Sequence, residues 1–250
     1  YSTSVIHVYS IGPFIEPLQQ AFGWSRAQIS IGLTISSFIS AIFCIPVGIL
    51  VDRTGPRRVG LIGVLLISAA FALLGTMTGT MANWAALWVI VAFGALGVQA
   101  TVWTSAVASR FEASRGLAFA VTLSGASLSA AVFPVLATWL IGAYGWRIAF
   151  GAMGGIWAAL VFPFLLLCFR GARDDGARKH ATTTSPAKVL KGVTLSQGLR
   201  SRTLYKLLMA SGLFSFTAIG AVVHFVPILT DRGAAPLAAA GIAALVGVFS

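Results

Sequence analysis

Five side chains, His7, Gln99, Trp103, Thr217 and His224, stand inside long apolar stretches of a 250-residue chain. Groups of this kind are costly against lipid unless they face protein or a wet cavity. An imidazole can carry a proton near neutral pH. An amide, a hydroxyl and an indole N–H can hold a small polar solute by hydrogen bonds. The chemistry on offer is reversible binding and proton handling. Covalent catalysis needs a nucleophile beside a base, and the apolar stretches hold no such constellation, so the chain reads as no enzyme. The two cysteines, Cys44 and Cys168, have neither metal-ligand spacing nor a disulfide framework, and no cofactor or metal is expected. They read as small buried hydrophobes.

Spacing groups the polar residues into stripes. Thr3, His7 and Ser10 follow i, i+4, i+7 on one helical face, as do Gln99 with Trp103, and Thr217 and His224 with Gly220. His7 lies ~20 Å from the far end of its apolar run, near mid-membrane. Glu16 is the one carboxylate within an apolar run, close to its end beside Pro17, so an interfacial position is expected. The expectation is that His7, Gln99, Trp103 and Thr217 line a central cavity and that His224 guards its mouth. Helix–helix hydrogen bonding, or packing for Trp103, is the alternative for each.

The elements that must position these residues follow from composition. The chain is 58% hydrophobic and 9% charged, with a mean hydropathy of +0.92. A soluble domain carries about 25% charged residues. Apolar runs of about 20 residues, enough to cross a bilayer as helix, recur along the chain. Strand-like alternation is absent, which argues against a barrel. The expected fold is all-α and integral to the membrane. Its spans are Tyr1 to Gln20, Ala27 to Val51, Val59 to Thr80, Asn83 to Ser109, Gly116 to Tyr144, Ile148 to Phe169 and Leu204 to Thr230. An eighth starts near Pro236. The first span and the last both read as cut, so the chain is taken as a fragment.

Charge orients the spans. Fourteen of the Lys and Arg residues fall in the links after spans two, four and six, and three (Arg26, Arg147, Arg232) in the opposite links. Basic links stay cytoplasmic, which places the N-terminus there too. The same bias accounts for the net charge of +11 without nucleic acid. Residues 170–203 are polar and basic and read as a cytoplasmic connector.

One link is distinctive. Gly48, Asp52, Arg53, Gly55, Arg57 and Arg58 stand between two uncharged runs, with four charges in Asp52–Arg58. Gly48 can let helices approach, and Gly55 can adopt positive φ. The pattern G-x-x-x-D-R-x-G-x-R-R resembles the loop between helices 2 and 3 of the major facilitator superfamily. Arg110-Phe-Glu112-Ala-Ser-Arg115-Gly116 is similar to the family's link between helices 4 and 5. Trp24-Ser25-Arg26, Gly145-Trp146-Arg147 and His224 to Gly233 resemble the monocarboxylate transporter and oxalate/formate antiporter branch. Ser129 and Pro134 depart from the helix-5 pattern of the drug/proton antiporters.

The resemblance implies a six-helix bundle (1–169), a central loop (170–203), and helix 7 with part of helix 8 (204–250). It implies that Asp52, Arg53, Arg57, Arg58, Glu112 and Arg115 form a gate on the cytoplasmic face, with Glu112 facing Arg53 or Arg57. The alternative is that they fix topology and turn alone. The expected activity is alternating-access secondary transport of a small solute, an organic acid anion, coupled to a proton or a counter-substrate. A monomer in a bacterial inner membrane is expected. Efflux, sugar-type transport, or a seven-helix receptor that starts outside the cell are the alternatives.

Overall fold

The structure is a computed structural model and describes residues 2–110, 114–169, 197 and 200–249. Its elements are a 3₁₀ turn Ser2–Val5 and helices α1 (Ile6–Tyr9), α2 (Ile11–Phe22), α3 (Arg26–Thr54), α4 (Pro56–Leu73), α5 (Met81–Leu96), α6 (Ala100–Arg110), α7 (Arg115–Cys168), α8 (Arg202–Asp231) and α9 (Pro236–Phe249). No strand occurs among the described residues. Among the described residues, five helical stretches are long and apolar enough to cross a membrane. One of them, Gly116–Leu167, has 52 residues, which is about twice the length a single crossing needs.

Local chemistry sets the ends of these helices. Gly23 closes α2 in the left-handed region with φ 70°. Ser25 then caps α3 as its side chain accepts from the Gln28 N–H at 3.2 Å. Gln28 answers by accepting from the Ser25 N–H at 2.8 Å, completing a reciprocal capping box. Gly55 turns the chain at φ 89°, and Pro56 follows at the first position of α4, where a missing N–H costs nothing. The positive φ expected at Gly55 is present.

Two expected spans are interrupted. The first breaks at Ser10 into α1 and α2. Pro13 has no N–H, and its ring crowds the carbonyl of Tyr9, so the helical ladder fails there. The fourth breaks between Leu96 and Ala100. At that point α5 crosses α4 closely: a Cβ on Gly97 would stand 2.6 Å from the Gly63 Cα. The interrupted backbone is partly satisfied by Trp103, whose indole N–H donates to the Val98 carbonyl at 2.8 Å. The fifth and sixth spans, by contrast, run on as α7, broken by Gly145 at φ 79°, ψ 160°.

The core joins α2, α3, α4, α5 and α7. Phe14 stacks on Phe150 with ring centroids 3.8 Å apart, and Phe71 meets Phe150 edge-on at 5.3 Å. Trp84 is buried and donates to the Ile29 carbonyl at 3.2 Å, which ties α5 to α3. Trp88 lies flat over Gly32, where any Cβ would collide with its ring. Trp24 is buried against Trp84 at 5.7 Å and so packs in the core. Many large apolar residues remain exposed along α3, α7 and α8, among them Phe38, Ile45, Leu167 and Phe216. Such a surface suits lipid, not water.

Candidate functional site

The helices alternate in direction, which gives the bundle two ends. One holds the α2–α3 link and is called the Arg26 end. The other holds the α3–α4 turn and is called the Arg57 end.

At the Arg57 end the signature residues sit around the turn. Asp52, Arg53 and Arg58 are exposed. Arg57 is half-buried and donates from Nη2 to the Leu166 carbonyl at 2.9 Å. That bond pins the start of α4 to the last turn of α7. A Cβ added at Gly48 meets nothing within 4 Å, so no helix among the described residues uses the approach that this glycine permits. Glu112 lies outside the described residues, and so does the side chain of Arg115.

The Thr3, His7, Ser10 stripe shares one buried face, as its spacing requires. Thr3 accepts from the Trp157 indole N–H at 3.1 Å. His7 Nε2 lies 3.4 Å from the Ser36 hydroxyl, and its ring meets the edge of Trp88 at 6.3 Å. His7 thus links α1 to α3 and α5. Its Nδ1, the Ser10 hydroxyl and the Trp88 indole N–H are buried with no hydrogen-bond partner among the described residues.

The other four candidates are apart from this node. Gln99 is half-buried in the break between α5 and α6. Trp103 is buried, with its ring 5.4 Å from Phe169 and its edge over Gly60. Thr217 is exposed on α8 and donates back to the Leu213 carbonyl at 3.0 Å. His224 is half-buried on α8. The described residues do not gather the five around one cavity.

The Arg26 end holds a site that sequence reading missed. Arg26 opens α3, and Asp231 closes α8. The Arg26 Nη2 meets the Asp231 Oδ1 at 2.7 Å across 205 residues of chain. Arg26 Nε also donates to Gln19 Oε1 on α2 at 3.4 Å. Asp231 lies one residue beyond the apolar run that ends at Thr230, and the guanidinium bonded to it holds its carboxyl below the usual carboxylate range. Gln20 donates to Glu16 at 3.3 Å nearby.

Below this pair, α2, α7, α8 and α9 border a half-open cavity of about 250 Å³. Glu16, Gln20, Thr138, Pro227 and Thr230 are on its wall. A second hollow of about 350 Å³ shares Glu16, Gln20, Pro227 and Thr230 and reaches Arg26 and Asp231. The floor is tight, because a Cβ on Gly12 would lie 2.9 Å from the Val223 carbonyl oxygen of α8. The available signal was modest: Arg26 is one of three basic residues in its set of links, and Asp231 is the acid in the facing link. Nothing in a single sequence pairs them.

The sequence model of the Major Facilitator Superfamily matches residues 1–250. The chain belongs to that superfamily. A riboflavin transporter, RibJ, of Trypanosoma cruzi (strain CL Brener) is 30% identical over 142 residues, covering 57% of this chain and 30% of its own length. The MFS-type transporter YcxA of Bacillus subtilis (strain 168) is 25% identical over 226 residues, covering 87% of this chain and 52% of its own. RibJ of Trypanosoma brucei brucei is 28% identical over 162 residues, covering 63% of this chain and 29% of its own. The chain therefore spans about half, or less, of the length of these relatives. This major facilitator chain is a multi-pass integral membrane protein, and its helices follow the family's all-α architecture.

Proposed function

We propose that the whole protein moves a small organic acid anion by alternating access, with residues 1–169 as the first six-helix half, 170–203 as the central loop and 204–250 as the start of the second half. In this reading the Arg57 end is cytoplasmic, because fourteen basic residues against three lie in the links on that side. The N-terminus is then cytoplasmic and the Arg26 end faces outward.

The observation that carries the proposal is the Arg26–Asp231 ion pair. It joins a first-half helix to helix 7 at the mouth of a cavity between the two. Solute sites in such transporters lie at the junction of the repeats. A cation shared with Asp231 gives an arriving carboxylate a partner to compete for, so anion arrival and loosening of the mouth are coupled. His7, Gln99, Trp103 and Thr217 line the route in this reading, and His224 lies near the mouth. Asp52, Arg53, Arg57, Arg58, Glu112 and Arg115 act on the opposite side as the cytoplasmic gate. A proton or a counter-substrate supplies the driving force.

The test is uptake by the full-length protein in proteoliposomes. Labelled lactate and oxalate should enter, and Arg26→Gln should raise the KM for the anion. No entry of either, or an unaltered KM, overturns the anion reading. A second reading is a planar heteroaromatic solute, favoured by the riboflavin named for two relatives. Riboflavin entry without anion entry would select it. Labelling of cysteines at Arg57 and Lys191 on opposite sides of the bilayer would overturn the orientation.

A further inference from the structure

A different hollow lies at the Arg57 end, on the flank of the bundle. It has a volume of about 380 Å³ between α3, α4 and α5. Leu50, Ile62, Leu66 and Phe93 form its walls, and all four are exposed. The tight α4–α5 crossing at Gly63 and Gly97 makes its floor. A side chain at either glycine would push the helices apart and change the shape of the groove.

Three observations say what fills it. First, the groove opens away from the signature carboxylate. Leu50 and Thr54 are each two residues from Asp52, so they project ~160° away from it around α3. The groove is on the opposite flank of α3 from Asp52. Second, its walls are apolar at membrane depth, where the surrounding solvent is hydrocarbon chain. Third, Arg58 is the charged side chain at its rim. Arg58 is exposed and makes no hydrogen bond or ion pair among the described residues. It stands at the first turn of α4, and Ile62 and Leu66 follow it at i+4 and i+8, a column running ~12 Å into the membrane.

We propose that this groove binds one anionic phospholipid from the leaflet that meets the α3–α4 turn. An acyl chain lies down the Arg58–Ile62–Leu66 column. The phosphate is bound by the Arg58 guanidinium, whose fork matches phosphate oxygens. A cation at a fixed height above an open apolar groove with a tight floor distinguishes this site from the general lipid shell. The site selects the headgroup by charge, and the occupant wedges α3, α4 and α5 around their close crossing.

The experiment is native mass spectrometry of the full-length protein, titrated with dioleoyl phosphatidylglycerol or with dioleoyl phosphatidylcholine. The unaltered protein should retain one phosphatidylglycerol about fivefold better than phosphatidylcholine. Arg58→Gln should abolish that preference, and Arg58→Lys should keep part of it. Leu66→Trp fills the groove and should lower retention of both lipids while Arg58 remains. Equal retention of the two lipids by the unaltered protein overturns the proposal. So does a preference that survives Arg58→Gln, or retention that Leu66→Trp leaves unchanged.

Discussion

The two ends of α8 differ sharply. Near the Arg26 end, Val223, Val226 and Pro227 are buried, Gly12 presses on the Val223 carbonyl, and Asp231 holds Arg26. Toward the Arg57 end, Leu207, Leu208, Leu213, Phe214 and Phe216 of the same helix are exposed. Among the described residues, helix 7 is therefore fastened to the preceding helices at one end and stands clear of them at the other. In the proposed orientation the fastened end faces out. The contrast shows how closure is distributed. A glycine contact supplies close backbone approach, an ion pair supplies a reversible tie, and among the described residues neither has a counterpart along the inner part of α8.

That contrast can be broken most strongly at Gly12. Gly12→Val puts branched atoms against a backbone oxygen already 2.9 Å from the Cβ position, and the clash cannot be relieved by a rotamer change. Overpacking of this kind costs about 1–3 kcal/mol, so uptake by the full-length protein should fall about tenfold. Uptake at the unaltered rate would mean that the α2–α8 contact is not needed in the cycle.

A change at the opposite end should lower stability and leave the outer tie untouched. Arg57→Gln removes a charged donor from the Leu166 carbonyl. A loss of about 1.5 kcal/mol is expected, read as a lower melting temperature in detergent. The labelling rate of a cysteine placed at Gln20, near the tie, should stay constant. A change there would mean that the two ends are coupled through the bundle.

The tie itself is a smaller effect. Asp231→Asn and Arg26→Gln should each raise labelling at Gln20 about two- to fivefold, in keeping with a solvent-exposed pair. The double variant should add little to the larger single effect, because both changes remove one interaction. Additive effects would show that the residues act separately. The smallest effect concerns pH. Asp231 is held below the ordinary carboxylate range by Arg26, so the tie is fully present above that range and is lost as pH falls through the lowered value. As the thiol itself loses reactivity in acid, labelling at Gln20 is compared with that in Asp231→Asn at the same pH, and the ratio of unaltered protein to variant should rise as pH falls.

Much of the fold was readable because it is local. Ser25 and Gln28 stand three residues apart and make their capping box, Gly55 takes the positive φ that its turn needs, and Gly145 breaks α7 where a link was expected. The Thr3–His7–Ser10 face followed from the helical period. The break at Ser10 had a visible cause in Pro13, but a reading built on hydropathy runs over it. The break after Leu96 had none, because it depends on Gly63 meeting Gly97 across two helices. Arg26 and Asp231 escaped for the same reason, since their pairing is decided 205 residues apart by how α8 lies on α2. His7 was expected on a cavity wall, and the neighbours found around it, Ser36 and Trp88, belong to other helices.

Gly145 has a mechanical consequence. Helix α7 turns there on one residue, with no slack between its arms. Just beyond the corner, Arg147 reaches back to the carbonyls of Gly75 and Met77 at 3.2 and 2.9 Å, bracing it against the end of α4. A braced corner without play works like a bell crank: tilting one arm must swing the other. The fifth and sixth spans should thus travel as one lever, and whatever moves the first of them sets the angle of the second.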